Sequence, residues 1–519
     1  MGTSLAWITD SVANASPTVS PELPALALDD GPTISYGQLR ERELRYAAAL
    51  QNAGVDRGDR VALLMHNSVD YIALLLAVAR TGAISVRPNW RLTAPELAYI
   101  VGDSEPKVLI FDTHLAPVVA DIRDSVGLEQ AIAFGDGDTP PWASAFTSFV
   151  DSVVAPRIES FPSLSMDDPY SLMYTSGTTG KPKGALLTHG NAIWIGTIQS
   201  LKWRLDSTAV SLNAGPLFHA GAFEVLLLPT LLSHGTAVTL SSGGFTLDRY
   251  LRVAQHHQVT TMMAYSFAVY ELVQRDDLAE RVPNSLRRIL TGGDTIMPWV
   301  YDELEKRLPG VELVQSYSLT EGGVVGTMLD HGDARGRERS VGRPNPMTEV
   351  KVVDESGHSA DTGVVGEVWL RSPGVSVGYW RKPTETKATF IDGWCRTGDL
   401  GSIDADGYLT LVGRAKDMIR SGGENIYPAE VEKLLTDHGS VAAAAVVGVP
   451  DPKYVEVGCA VMEPHAGQTI DIDEIRAYLI GKLASFKIPK HYVVVDQLPR
   501  NASGKIQKNV LRADYASVG

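Results

Sequence analysis

With 519 residues, 44% of them hydrophobic and 21% charged, the chain has material for more than one domain and the composition of a globular protein with a large core. Its 46 Lys and Arg against 61 Asp and Glu leave a net charge of −15, which disfavours a nucleic-acid or anionic-membrane surface and requires any phosphate-binding charge to be concentrated locally. Cys395 and Cys459, the only cysteines, lie far apart without metal-ligand spacing. Neither a disulfide scaffold nor a zinc site is indicated, and a reducing, cytoplasmic setting fits.

The first ten residues lack the basic cluster and apolar run of a secretory signal. The longest apolar runs, 71–79 and 441–447, fall far short of the ~20 residues that span a bilayer, so no integral membrane segment is expected. In chain order, 36–54 reads as a helix rich in Leu, Arg, Glu and Ala, with Gly54 placed as its cap. Residues 60–65 read as a strand, and after the cap pair Asn67-Ser68 the residues Tyr71, Leu74, Leu75 and Val78 repeat at helical spacing. A strand at 84–86, a capping box from Thr93 to Glu96 and a strand at 107–111 continue the alternation. The stretch 135–168, rich in Asp, Gly, Pro and Ser, reads as a surface connection. Further strands are expected at 209–212, 237–240, 288–290 and 312–314, with helices at 223–232, kinked at Pro229, and at 299–308. This alternation predicts a layered α/β domain with a mostly parallel sheet. After about residue 342 the pattern becomes antiparallel, with strands at 348–353 and 367–371 and turns at 354–357 and 360–363. A basic, glycine-containing crossing at 414–423 leads into a compact α and β region.

Residues 174–184 read YTSGTTGKPKG: three glycines, two lysines and a run of hydroxyls behind an apolar strand end. Such a stretch can wrap backbone N–H groups, hydroxyl donors and positive charge around phosphate oxygens. It is not a Walker loop, because Gly177 and Gly180 are three apart and Lys181 precedes Pro182. The stretch closely resembles the phosphate-loop signature of the adenylate-forming superfamily, which includes acyl-CoA synthetases, aryl-CoA ligases, luciferases and peptide-synthetase adenylation domains. The resemblance runs from about Tyr36 to Lys508 with the motifs in order.

That resemblance implies attack of a carboxylate on the α-phosphate of ATP, then transfer of the acyl group from acyl-AMP to a thiol. It places Thr175, Ser176, Gly177, Thr178, Thr179, Gly180 and Lys183 around the phosphates. In QSYSLTE at 315–321, it puts Gln315, Ser316 and Tyr317 at adenine, Thr320 at the α-phosphate and Glu321 on Mg2+, a hard cation suited to carboxylate oxygen. Ser316 and Ser318 stand where the family has glycine, which narrows the space near adenine or the acyl group. WCRTGD at 394–399 resembles the segment whose aspartate, here Asp399, meets the ribose diol; Arg414 in GRAKD shares that role, and Lys416 is the hinge. LPRNASGK at 498–505 offers Lys505 to the carboxylate and α-phosphate oxygens. Ser421, Gly422, Gly423 and Tyr427 resemble the lining of the CoA passage. DPKYVE at 451–456 departs from the family's pattern in Tyr454 and Val455, which weakens CoA as acceptor.

The acid pocket is expected from PLFHAGAF at 216–223 and TGGDT at 291–295, that is Phe218, His219, Ala220, Gly221, Gly292, Gly293 and Asp294, with Ser318 and Val324. His219 stands where amino-acid adenylation domains carry the aspartate that holds an α-amine, so an acid without that amine is favoured. The expectation is thus an α/β enzyme with a large N-terminal α/β domain (1–413) bearing a β-rich subdomain, a hinge at 414–416 and a small mobile α+β C-terminal domain (417–519). It would be an ATP-, Mg2+- and CoA-dependent ligase for a fatty or aryl carboxylic acid, monomeric or homodimeric. An amide-forming ligase passing the acyl group to an amine, and a nucleotide-binding relative without turnover, are the alternatives.

Overall fold

Alternating short apolar runs and capped helices build two large sheets in a computed structural model that describes residues 5, 8–10, 20–151, 153, 161–175, 181–292, 296–324, 326–337, 340–421, 424–500 and 505–515. The chain divides into two compact units: Met1–Val350 with Trp369–Thr397, and Lys351–Val368 with Gly398–Gly519.

In the first unit one sheet has eight strands, in the spatial order Gly378–Tyr379, Lys183–Thr188, Pro169–Thr175, Ile84–Val86, Arg60–Leu64, Val108–Asp112, Gln130–Phe134 and Ser144–Ala145. From Pro169–Thr175 to Ser144–Ala145 every pairing is parallel, whereas Lys183–Thr188 returns antiparallel to Pro169–Thr175. The second sheet has nine strands: Arg343–Pro344, Thr327–Leu329, Glu312–Tyr317, Arg288–Gly292, Thr261–Met263, Val210–Asn213, Thr236–Thr239, Pro24–Leu28 and Ile34–Ser35. Its centre, from Glu312–Tyr317 to Pro24–Leu28, is parallel. Parallel strands need crossovers, and the helices that supply them bury both faces. The apolar helix Val69–Thr81 is capped by the Ser68 hydroxyl, which accepts from the Tyr71 N–H, and eleven of its residues are buried.

Most expected elements are present within a residue or two. The helix Tyr36–Asn52 is followed by Gly54 at φ 78°, and the Thr93/Glu96 capping box opens Ala94–Ser104. Two expectations are corrected. The stretch 135–168 contains the strand Ser144–Ala145 and the helix Phe146–Asp151, because Phe146 and Val150 fall on one helical face and Phe146 packs against Tyr46 and Phe134. The helix expected at 223–232 is not an α-helix kinked at Pro229: Phe223–Leu227 forms a π-helical turn, and Pro229 lies in the first turn of the α-helix Leu228–Leu232, where its missing N–H costs nothing. The strands Pro24–Leu28 and Thr261–Met263 were not anticipated.

In the second unit, Val441–Asp451 and Val455–Pro464 form a long antiparallel pair extended by the hairpin of Ile419–Ser421 and Glu424–Ile426, with His491–Val494 added in parallel. Alternate residues serve two cores. Val446, Ala460 and Met462 meet Val431 and Leu435 of the helix Pro428–Thr436 and Ile475 and Leu479 of Ile472–Leu479; Val447, Val449 and Val461 meet Leu511 of Lys508–Asp514. No helix among the described residues is long and apolar enough to cross a membrane.

Candidate active site

In open α/β sheets ligands collect beyond the carboxyl ends of the parallel strands. Thr175, Asn213, Gly292 and Tyr317 each end such a strand, and each leads into a stretch singled out from the sequence.

The phosphate-loop hairpin is held at its stem. Thr175 lies opposite Lys183 in the register. The Tyr174 hydroxyl donates to Asp103 Oδ2 at 2.7 Å, Lys382 Nζ meets Asp103 Oδ1 at 2.9 Å, and the Tyr99 hydroxyl donates to the Pro182 carbonyl at 3.1 Å. The end of the strand Pro169–Thr175 and the residue that leads into Lys183–Thr188 are thereby anchored. Ser176, Gly177, Thr178, Thr179 and Gly180 lie outside the described residues, as do Gly293, Asp294, Gly422 and Gly423.

Glu321 is the convergence point. It is buried, in a tight turn that follows the strand Glu312–Tyr317, with Gly322 N–H bonded to the Leu319 carbonyl and Gly323 N–H to that of Thr320. Gly323 is required here: its φ is 71°, and a Cβ would lie 1.9 Å from the Gly374 carbonyl oxygen. Glu321 Oε1 accepts from the Thr175 hydroxyl at 2.8 Å and from the Tyr379 hydroxyl at 3.0 Å. Burial, reinforced by the Glu321 charge, holds the Tyr379 phenol well above its ordinary pKa, so it stays a donor. Lys183 Nζ sits 5.0 Å from the centre of the Tyr379 ring. Lys183 and Glu321, far apart in sequence, therefore meet at one tyrosine that sequence reasoning missed, and Thr175 joins them through Glu321. Tyr379 carries no local signal, being one aromatic residue in a two-residue strand.

Both hydrogen bonds to Glu321 use Oε1, which orients the carboxylate and leaves Oε2 as a hard donor. No group of three or more metal-ligating side chains converges among the described residues. One oriented carboxylate completed by substrate phosphates is a usual arrangement for Mg2+, so the residues present fit that ion.

In the stretch expected to meet adenine, Gln315 is buried, its Oε1 accepting from the Ile296 N–H at 3.1 Å. Gly292 pairs with Ser316 so closely that a Cβ would lie 2.8 Å from the Ser316 carbonyl oxygen. Tyr317, Ser318 and Thr320 are half-buried. Val324, expected to leave pocket volume, packs against Ile195 and Ile198 and holds φ at 50°, an unusual conformation for a β-branched residue.

The stretch 216–223, expected to form the acid pocket, is held from behind. Asn67, read from sequence as part of a cap, instead bonds the gate: its Oδ1 accepts from the Leu217 N–H at 2.8 Å, and its Nδ2 donates to the carbonyls of Gly215 and Leu240, each at 2.9 Å. Phe218 is half-buried and His219 exposed. His219 Nδ1 accepts from the Gly221 N–H at 3.0 Å, so in the neutral ring the proton sits on Nε2 as a donor. Ala220 is buried beside it.

In the second unit Asp399 and Arg414 face each other across neighbouring strands, with Arg414 Nε 2.7 Å from Asp399 Oδ1. Lys416 is exposed in the short turn Ala415–Asp417. Ser421 pairs with Val455, Tyr427 precedes the helix Pro428–Thr436, and Lys505 is exposed beside the bridge of Arg500 to Ile506.

The profile of the AMP-binding enzyme family matches residues 14–380, and that of the AMP-binding enzyme C-terminal domain matches 430–505. A feruloyl-CoA synthase of Amycolatopsis sp is 37% identical over 93% of this chain and 94% of its own. The long-chain-fatty-acid–CoA ligase FadD13 of Mycobacterium tuberculosis is 35% identical over 96% and 97%. Among solved structures, ATP-bound MatB from Rhodopseudomonas palustris superposes with a TM-score of 0.89 at 31% identity, covering all of both chains. Matched along nearly its whole length, the chain belongs to the AMP-binding enzyme family, among the acyl-CoA ligases of the adenylate-forming superfamily.

Proposed function

We propose that this protein activates a hydrophobic carboxylic acid lacking an α-amine, aryl or fatty, as acyl-AMP and transfers the acyl group to CoA in the cytoplasm. The observation that carries this reading is the Glu321 carboxylate held by the Thr175 and Tyr379 hydroxyls, with the Lys183 ammonium over the Tyr379 ring. It supplies an oriented carboxylate and an ammonium group beside the phosphate-loop stretch.

Lys183, beside the phosphate-loop stretch that Thr175 opens, binds phosphate oxygens, and Thr320 donates to the α-phosphate. Glu321, held by the Thr175 and Tyr379 hydroxyls, would hold Mg2+, which when bound neutralises charge on the phosphate oxygens. Gln315, Ser316 and Tyr317 face adenine; Asp399 and Arg414 hold the ribose, where a carboxylate is a bidentate acceptor for a vicinal diol. His219 donates from Nε2 to the acid's carboxylate, orienting it for in-line attack, and Lys505 stabilises charge building on the transferring oxygens. Pyrophosphate leaves. The small domain, pivoting at 414–416 about Lys416, then presents the passage lined by Ser421 and Tyr427, and the CoA thiol attacks the acyl carbonyl, releasing AMP. Feruloyl-CoA synthase and FadD13 make aryl and long-chain acids the first to try.

Incubation with ATP, Mg2+, CoA and a mixed pool of aliphatic and aryl acids, read by mass spectrometry, tests the reading. A new acyl-CoA is the expected product. Acyl-AMP without acyl-CoA would replace CoA by an amine acceptor, and acid-independent ATP binding with no pyrophosphate released from any acid would overturn the assignment.

A further inference from the structure

Behind the acid gate lies an ion pair that the proposed chemistry does not use. Arg87, just beyond the strand Ile84–Val86, and Glu224, in the π turn Phe223–Leu227, both have side chains 0% exposed. Arg87 Nη2 donates to Glu224 Oε1 at 2.5 Å and Nη1 to Oε2 at 3.3 Å, while the Tyr170 hydroxyl donates to Oε1 at 2.5 Å. The same guanidinium reaches two further places. Nη1 donates to the carbonyl of Leu217, two residues before His219, at 3.2 Å. Nη2 donates to the hydroxyl of Ser171, at 3.3 Å, on the strand that carries Thr175 into the phosphate-loop hairpin. Arg87 Nε is buried with no partner.

Removing two charges from water costs several kcal/mol per ion, and a buried pair is often no more stabilising than apolar residues of the same volume. Stability alone therefore gives a weak reason for it, and its placement gives a better one. A π turn is rare and is frequently found at functional sites. Here the Leu228 N–H bonds to the Phe223 carbonyl, and Glu224 within that turn is clasped by a planar fork whose other N–H groups hold the gate backbone and the phosphate strand. We propose that the Arg87–Glu224 pair positions the acid site, fixing His219 and the Ala220–Gly221 backbone relative to the strand that delivers Thr175. The inference rests on the reading of 216–223 as the acid gate.

Two variants separate positioning from folding. Arg87→Met with Glu224→Leu removes both charges at similar volume. Arg87→Lys keeps a charge opposite Glu224 but cannot fork to Leu217 and Ser171, so it decides the matter even where the double variant fails to fold. Each is compared with the wild type by acid-dependent pyrophosphate exchange and by amide hydrogen exchange over 217–227. The expected result is an acid KM raised about tenfold or more with ATP KM within about twofold, because a displacement of about 1 Å is felt most by the reacting group. Faster amide exchange confined to 217–227 should accompany it. Unchanged exchange in that segment would overturn the positioning, as would acid and ATP KM rising together. Faster exchange with an unmoved acid KM would overturn the link to the acid, and a wild type that adenylates no acid would sink the proposed function while the exchange measurement still judges the pair.

Discussion

Glu321 is held by two hydroxyls on one oxygen, a geometry that a glutamine can copy without the charge. Glu321→Gln should therefore fold as the wild type does, with its amide oxygen still accepting from Thr175 and Tyr379, yet lose its hold on Mg2+. The expected outcome is a fall of ~100-fold or more in kcat/KM for acyl-AMP formation and a higher Mg2+ requirement, read from pyrophosphate release across a Mg2+ titration. An unchanged Mg2+ dependence would remove Glu321 from the metal. The motif at 315–321 made this residue legible, whereas Tyr379, which ties it to Lys183, was not, since its role arises only when a distant two-residue strand pairs with Lys183–Thr188. Val455 shows the opposite case. Sequence comparison marked it as a departure from the family's pattern, and its backbone supplies the cost: φ is 72° in a β-branched side chain that is 81% exposed and so gains little from packing. Val455→Gly relieves a left-handed strain of ~1–2 kcal/mol against a smaller entropic loss. The midpoint of thermal unfolding should rise, by an amount equivalent to about 0.5–1 kcal/mol.

The helix His189–Trp203 begins with a cap that satisfies its first turn and a histidine that water does not reach. Thr188 and Asn191 cap each other reciprocally, and the Asn191 amide also donates to the carbonyls of Pro373 and Val375, at 2.8 and 3.0 Å. His189 Nδ1 accepts from the Leu5 N–H at 3.2 Å, and burial pushes the ring down to about 4 despite the nearby Asp168 carboxylate. A free imidazole protonates near ~6.5, so between that value and about 4 the unfolded chain binds a proton that the folded one refuses. Stability from this group is complete above the upper value and is lost as pH falls through the window, by up to something on the order of 3 kcal/mol. His189→Gln should consequently lose less thermal stability between pH 7 and pH 4.5 than the wild type does; equal losses would place the acid sensitivity elsewhere. Elements whose caps and periodicity are local, such as Tyr36–Asn52, Val69–Thr81 and Ala94–Ser104, were readable from sequence because local bonds decide them. The π turn Phe223–Leu227 was not, because its register is tied to Arg87, more than a hundred residues earlier. Likewise Phe146–Asp151 was hidden by the polar average of its surroundings and revealed by its contacts with Tyr46 and Phe134.

At the scale of the whole chain, the residues proposed for adenylation fall in two compact units: Thr175, His219 and Glu321 in the first, and Asp399, Arg414 and Lys505 in the second. The basic, glycine-containing crossing is what suggested a pivot at 414–416 from the sequence, whereas contacts group 398–416 with the C-terminal residues, and Asp399 pairs with Arg414 within that unit. Under the proposed function, such a division would let Lys505 serve one half-reaction only. If the small domain swings about Lys416 between the steps, Lys505 acts while acyl-AMP forms and is withdrawn while the thiol attacks. Lys505→Ala removes an electrostatic donor to the oxygens that gain charge in the first step, a loss expected to cost ~100-fold or more in acyl-AMP formation. With chemically prepared acyl-AMP and CoA supplied together, the same variant should make acyl-CoA at close to the wild-type rate, since the first step is bypassed. Lys416→Pro, which restricts the backbone at the pivot, should act on the passage between the two steps and slow the overall reaction more than adenylation measured alone. Equal losses for Lys505→Ala in both half-reactions would mean that the lysine stays at the site throughout, and the two-conformation account would have to be abandoned in favour of a single active arrangement of the two units.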